Sequence, residues 1–117
     1  MHLQLYGKKI WVYRKNIDFR LAIDGLSAFV ANNIHHSPKT GIYLFFNKKR
    51  DRIKLLSWHK NGFAMVYKRI EIGKFIFEFS KEKGVLEMNI EELGWMLAGL
   101  DWQRMSNWRE LSYDQFS

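Results

Sequence analysis

The spacing of apolar positions changes along the chain, and each change marks an element. Ile10–Tyr13, reading Ile-Trp-Val-Tyr, is a short run of strand formers and predicts a β-strand. After Asp18, an N-cap candidate, Phe19, Ile23, Leu26 and Val30 follow at spacings of four, three and four. That spacing predicts a helix over Phe19–Val30, with Phe29 and Ile34 widening its apolar face and Gly25 allowing close packing. Pro38 and Gly41 close the segment. Three strands follow. Ile42–Phe46 leads through the charged turn Asn47–Asp51 into Arg52–Trp58, which leads through His59-Lys60-Asn61-Gly62 into Phe63–Arg69. Asn-Gly is a hairpin signal because a type I′ turn needs positive φ at both central positions. With Asn61 and Gly62 central, Lys60 pairs with Phe63. Alternation puts Lys54, Leu56 and Trp58 on one face of the middle strand and Ile53, Leu55 and Ser57 on the other. Large apolar groups on both faces predict a sheet covered on both sides, or one that offers a face to a partner.

Lys74–Phe79 alternates Phe75, Phe77 and Phe79 against Lys74, Ile76 and Glu78, and predicts a half-buried fourth strand. Ser80–Gly84 is a polar turn. Asn89 with Glu92 three residues on reads as a capping box, with Asn in place of the usual Ser or Thr. Leu93, Met96, Leu97 and Leu100 form the stripe of a C-terminal helix, and Gly99 loosens its last turn. Trp102, Met105, Trp108, Leu111 and Tyr113 predict a last segment that folds back on the domain. The fold class is α+β: an antiparallel β-meander of about four to five strands packed with an N-terminal and a C-terminal helix. With no repeat or linker, residues 1–117 read as one domain.

Charge sharpens the picture. The net charge is +7, and it is unevenly spread. Lys39–Lys74 holds ten cations against two carboxylates, whereas the chain from Glu78 onward holds four cations against eight. A middle third that carries the whole excess implies an anionic partner: nucleic acid, a membrane surface or an acidic protein. The absence of cysteine fits a reducing compartment. No apolar signal core follows the polar N-terminus, and no run is long enough to cross a bilayer. A soluble, cytoplasmic protein with no membrane partner is expected.

Several pieces together resemble a known family. "DFRLAIDGLSAFV" is followed by "GIYLFFNKKRDRIKLLSWHKNGFAMVYKRIEIGKF", then by "ELGWMLAGLDW" and "RELSY". From about Asp18 to Tyr113 the chain resembles the TnpB accessory protein, the second open reading frame, of the insertion-sequence 66 family of bacterial transposons. This is a different protein from the longer RNA-guided nuclease that shares the name TnpB. The resemblance implies a small protein encoded beside a separate transposase and needed for efficient transposition, and it brings no catalytic residues. Two positions depart from the family pattern. Trp58-His59 stands where members often have Trp-Asp, which leaves no carboxylate at that turn. Members often have Trp-Pro after a Gly-Arg-Phe stretch, where this chain has Gly73-Lys74-Phe75 followed by Ile76-Phe77, which suggests a strand that continues.

Phosphate binding requires cations spread along a surface and tolerates loose geometry. Lys48, Lys49, Arg50, Arg52, Lys54, Lys60, Lys68 and Arg69 are the candidate nucleic-acid-binding residues, on or beside the two hairpin turns. The consecutive Lys48, Lys49 and Arg50 are expected to fan outward from the first turn. Phe45, Trp58, Phe63 and Tyr67 are candidates for base stacking, or else core. Asp18, Asp24 and Asp51 are too scattered for a metal-dependent nuclease; Asp18 reads as a cap and Asp24 as a partner for Arg52 or Arg69. Adjacent His35 and His36 point about 100° apart on a helix and seldom share an ion. No catalytic constellation, metal site or cofactor is expected. Glu87, Glu91 and Glu92 suit a helix start, or a docking face with Trp95, Trp102 and Trp108 as anchors. The preferred reading is a non-catalytic transposition accessory that binds DNA through phosphates and cooperates with the transposase of the same element. A protein-interaction module without DNA contact is the alternative, and a small metal-dependent nuclease the third.

Overall fold

A three-strand meander forms where the hairpin signals place it, and two further strands extend it through a parallel pair. A computed structural model describes residues 7–82 and 84–108. Strands β1 (Lys9–Asn16), β2 (Gly41–Phe46), β3 (Arg52–His59), β4 (Gly62–Arg69) and β5 (Val85–Met88) form one sheet in the order β4-β3-β2-β1-β5. β2, β3 and β4 are antiparallel, with Leu44 opposite Leu55 and Leu56 opposite Met65. β5 is antiparallel to β1, but β1 runs parallel to β2. A parallel pair needs a crossover. Helix α1 (Ile23–Phe29) and the π-helical turn Val30–Ile34 supply it.

Both faces of the sheet are covered, as the double-sided apolar pattern of β3 implies. On one face Leu26, Val30 and Ile34 pack on Tyr43, Phe45 and Leu56. On the other, Ile42, Leu44, Phe46, Ile53 and Leu55 pack against Phe75, Phe77, Leu93, Met96 and Trp102. All six residues of β2 are therefore buried. The first helix starts later than its periodicity predicts. Its N-cap is Ala22, and Asp18 instead closes a turn, accepting the Arg20 N–H at its carboxylate and the Leu21 N–H at its carbonyl. The reason lies across the sheet: Lys54 Nζ donates to the carbonyls of Phe19 and Leu21 at 2.6 and 2.7 Å, occupying oxygens that a longer helix would engage. At Gly25 a Cβ would meet Leu21 Cδ2 at 2.8 Å, the flexible end of a neighbouring side chain in the same segment rather than another element.

Lys74–Phe79 is not a strand. The chain must travel from β4 on one edge to β5 on the other, so residues 70–82 cross the end of the sheet as a strap. Ile70 N–H donates to Asp51, Phe75 to Arg50 and Ser80 to Arg14, one bond at a time rather than as a ladder. The alternation reports burial without pairing: Phe75 and Phe77 are buried, and Phe77 stacks on Phe46 at 4.9 Å. The fifth strand is Val85–Met88, directly before α2 (Ile90–Leu97). α2 opens on the predicted capping box, with reciprocal Asn89–Glu92 bonds. It closes at Gly99, whose φ is +80°, with Gly99 and Leu100 N–H donating back to Met96 and Trp95. Lys68 Nζ donates to the free carbonyl of Leu97 at 2.5 Å. Residues 102–108 are helical, with Trp102 buried and Trp108 71% exposed; Leu111 and Tyr113 lie outside the described residues. No helix among the described residues is long and apolar enough to cross a membrane.

Candidate nucleic-acid interface

The β2–β3 turn is built by Asn47. Its Oδ1 accepts the N–H groups of Asp51 and Arg52, and its Nδ2 donates to Asp51 Oδ1 at 2.5 Å. That bond holds the Asp51 carboxyl below the usual carboxylate range. Lys48 and Lys49 stand exposed on the turn. Arg50 does not fan outward with them. It adopts φ +58°, and its Nη1 donates to the Phe77 carbonyl at 2.7 Å while the guanidinium lies 5.5 Å over the Phe79 ring. The guanidinium belongs to the contact between hairpin and strap.

The β3–β4 turn is shifted by one residue from the expected register. His59 pairs with Gly62 and Trp58 with Phe63, so Lys60 and Asn61 are central, and Lys60 carries φ +56°. The Trp58 and Phe63 rings meet edge to face at 4.9 Å. That cross-strand aromatic pair and the burial pattern of β3 set the register over the turn preference.

These placements divide the eight candidate cations. Lys48, Lys49, Arg52 and Arg69 lie exposed at the end of the sheet where β3 begins and β4 ends. Arg52 and Arg69 face each other across the ladder, a like-charge pair moderated by the Arg69–Glu71 ion pair at 3.0 Å. Lys68 is exposed but engaged with α2. Lys60 lies just past the opposite end of β3, a strand that spans about 24 Å at roughly 3.4 Å per residue. Lys54 is 7% exposed beneath Phe19, its ammonium 4.8 Å from that ring. Burial lowers its pKa, and the charge of Asp18 partly offsets this. Of the candidate stacking rings, Phe45 is fully buried, Trp58 and Phe63 are half-buried, and Tyr67, opposite Lys54, is 47% exposed on the same face as Arg52 and Arg69.

The carboxylates do not converge. Asp18 pairs with Arg20 at 2.6 Å, Asp51 is tied to Asn47, and Asp24 forms none of the expected ion pairs with Arg52 or Arg69. His35, at φ +63°, ends the π-helical turn, and His36 packs on Trp11 and Tyr43. Among the described residues no group of three or more His, Cys, Asp or Glu is placed to hold a metal ion.

The sequence matches the family described as IS66 Orf2 like protein over residues 8–107, a span that contains both hairpins, the strap and α2. The chain belongs to the IS66 Orf2 like family. It is therefore an accessory protein of insertion-sequence transposition. Two relatives of the IS66 Orf2 like protein come from Sinorhizobium fredii. Uncharacterized protein y4jC is 38% identical over 100 residues, covering 85% of each chain. Uncharacterized protein y4hO is 23% identical over 103 residues, covering 86% of this chain and 89% of its own. No solved structure matches this IS66 Orf2 like chain.

Proposed function

We propose that this accessory protein binds duplex DNA through phosphate contacts at the β2–β3 turn end of its sheet, and so serves the separately encoded transposase. One observation carries the reading: Lys48, Lys49 and Arg52 stand exposed together and form no ion pair with another described residue. Arg69 adds a fourth cation and Tyr67 an accessible ring. Cations held on a rigid hairpin track a phosphate backbone without reading bases, so binding is insensitive to sequence and steep in salt. Lys54 and Arg50 are assigned to the fold rather than to the interface. The contact with the transposase is assigned to the acidic C-terminal third, where Trp108 is exposed.

The test is a titration of transposon-end duplex, random duplex and single-stranded DNA at several salt concentrations. Replacing Lys48, Lys49 and Arg52 by Ala should weaken binding to every duplex. If each neutralises one phosphate, the slope of log affinity against log salt becomes shallower by about 2.7, at roughly 0.9 per contact. Stability should stay within about 0.5 kcal/mol, as for ordinary surface changes. Lys81→Ala with Arg104→Ala, in the acidic third, is the control. Unchanged affinity and slope in the triple variant would overturn DNA binding at this end and leave a protein-interaction module.

A further inference from the structure

The opposite end of the sheet carries a second basic cluster, assembled from segments far apart in sequence. Trp58 organises it. Lys39 Nζ lies 4.5 Å over the Trp58 ring, Lys8 Nζ donates to the Trp58 carbonyl, and Lys60 follows two residues on in the turn. Lys9 opens β1 at the same end, 5.9 Å from the Trp11 ring. Lys9, Lys39 and Lys60 are exposed, and none of these lysines forms an ion pair with another described residue. Of the carboxylates at this end, Glu91 and Glu92 open α2, whose buried residues pack on the other face of the sheet from Trp58, while Glu87 is exposed opposite Trp11 on the same face as Lys9 and forms no ion pair with these lysines.

The two clusters lie about 24 Å apart along β3. At 0.1 M ionic strength the screening length is about 10 Å, so they act as separate electrostatic sites rather than one. Between them, on their shared face, stands α1, with Asp24 exposed. A duplex lying along that face would meet the helix and a carboxylate in the middle of its track.

We infer that each end takes a separate DNA backbone, so that one molecule holds two duplex segments together. This inference rests on the DNA-binding reading above and adds a second phosphate site at Lys9, Lys39 and Lys60. Bridging two segments is a task that an accessory of transposition can perform without any chemistry of its own.

The experiment immobilises one random duplex on beads and measures capture of a second, fluorescent duplex by the full chain. Single-duplex affinity is measured in parallel by anisotropy. The wild type should capture the second duplex. A Lys9→Ala, Lys39→Ala, Lys60→Gly variant should still bind one duplex but lose at least ten-fold in capture, and the Lys48, Lys49 and Arg52 triple variant should do the same. Arg at Lys9, Lys39 and Lys60 should keep capture near wild type, which separates charge from folding. Mixing these two triple variants should not restore capture. Capture that survives loss of the Trp58-end lysines, or that returns on mixing, overturns the one-molecule bridge. Equal loss of single-duplex affinity from either end, without capture, also overturns it in favour of one continuous track. A wild type that binds no duplex at all refutes the DNA-binding reading itself, a distinct result.

Discussion

Arg50 carries the same charge as Lys48 and Lys49 beside it, yet its side chain turns inward and pins the strap to the hairpin. Arg50→Ala removes the 2.7 Å bond to the Phe77 carbonyl and the contact with the Phe79 ring. A hydrogen bond to a charged donor contributes about 1.5–3 kcal/mol, and the cation–π contact about 0.5–1 kcal/mol. Against this, Arg50 Nε is buried without a partner, which offsets roughly 1 kcal/mol. The net expected loss is about 2 kcal/mol, or about 8 °C in Tm at roughly 4 °C per kcal/mol for a chain of this length. The backbone supplies a second handle. At φ +58° an alanine keeps the left-handed strain, whereas glycine does not, a difference of about 1 kcal/mol. Arg50→Gly should therefore be more stable than Arg50→Ala, although both lose the same contacts. Urea denaturation followed by tryptophan fluorescence and far-ultraviolet circular dichroism measures the order. Duplex affinity of the folded variants should fall far less than in the Lys48, Lys49 and Arg52 triple variant. An alanine variant as stable as wild type, or a glycine variant weaker than the alanine one, refutes the inward role. A loss of affinity as large as that of Lys48→Ala would put the guanidinium on the DNA side.

Two further outcomes test the local geometry. Lys60→Gly should raise stability by about 1 kcal/mol in thermal or urea unfolding, because Lys60 holds φ +56° at the centre of its turn; a decrease would place the turn at Asn61-Gly62 instead. Arg20 holds the Asp18 carboxyl at about 2 against an ordinary 3.8. The unfolded chain then takes up that proton first as pH falls. Asp18 thus contributes stability that is present above 3.8 and lost as pH drops through about 2. Asp18→Asn should flatten the fall in stability across that acid window, and an identical pH profile for variant and wild type would show the pair to be inert.

Local pattern was sufficient for the elements whose signals are local. The β2–β3–β4 meander follows from alternation and turn residues, and α2 from a capping box whose two partners are three residues apart. The same pattern misled wherever a distant group competes for the backbone. Phe19–Val30 has helical spacing throughout, but Lys54 on β3 takes the carbonyls that its first turn would use. Lys74–Phe79 alternates like a strand, but the sheet edge it would need lies elsewhere, so its phenylalanines fill the core while its backbone bonds to turn residues. Val85–Met88 is too short to announce itself and becomes a strand only because β1 offers an open edge. The charge excess of the middle third was legible from composition alone. Its division was not: facing direction puts Arg50 and Lys54 inside, and strand length carries Lys60 to the far end, beside Lys8, Lys9 and Lys39 from other parts of the chain. Composition counts charges, but the direction and separation of each one depend on contacts between residues tens of positions apart, and those exist only in the folded molecule.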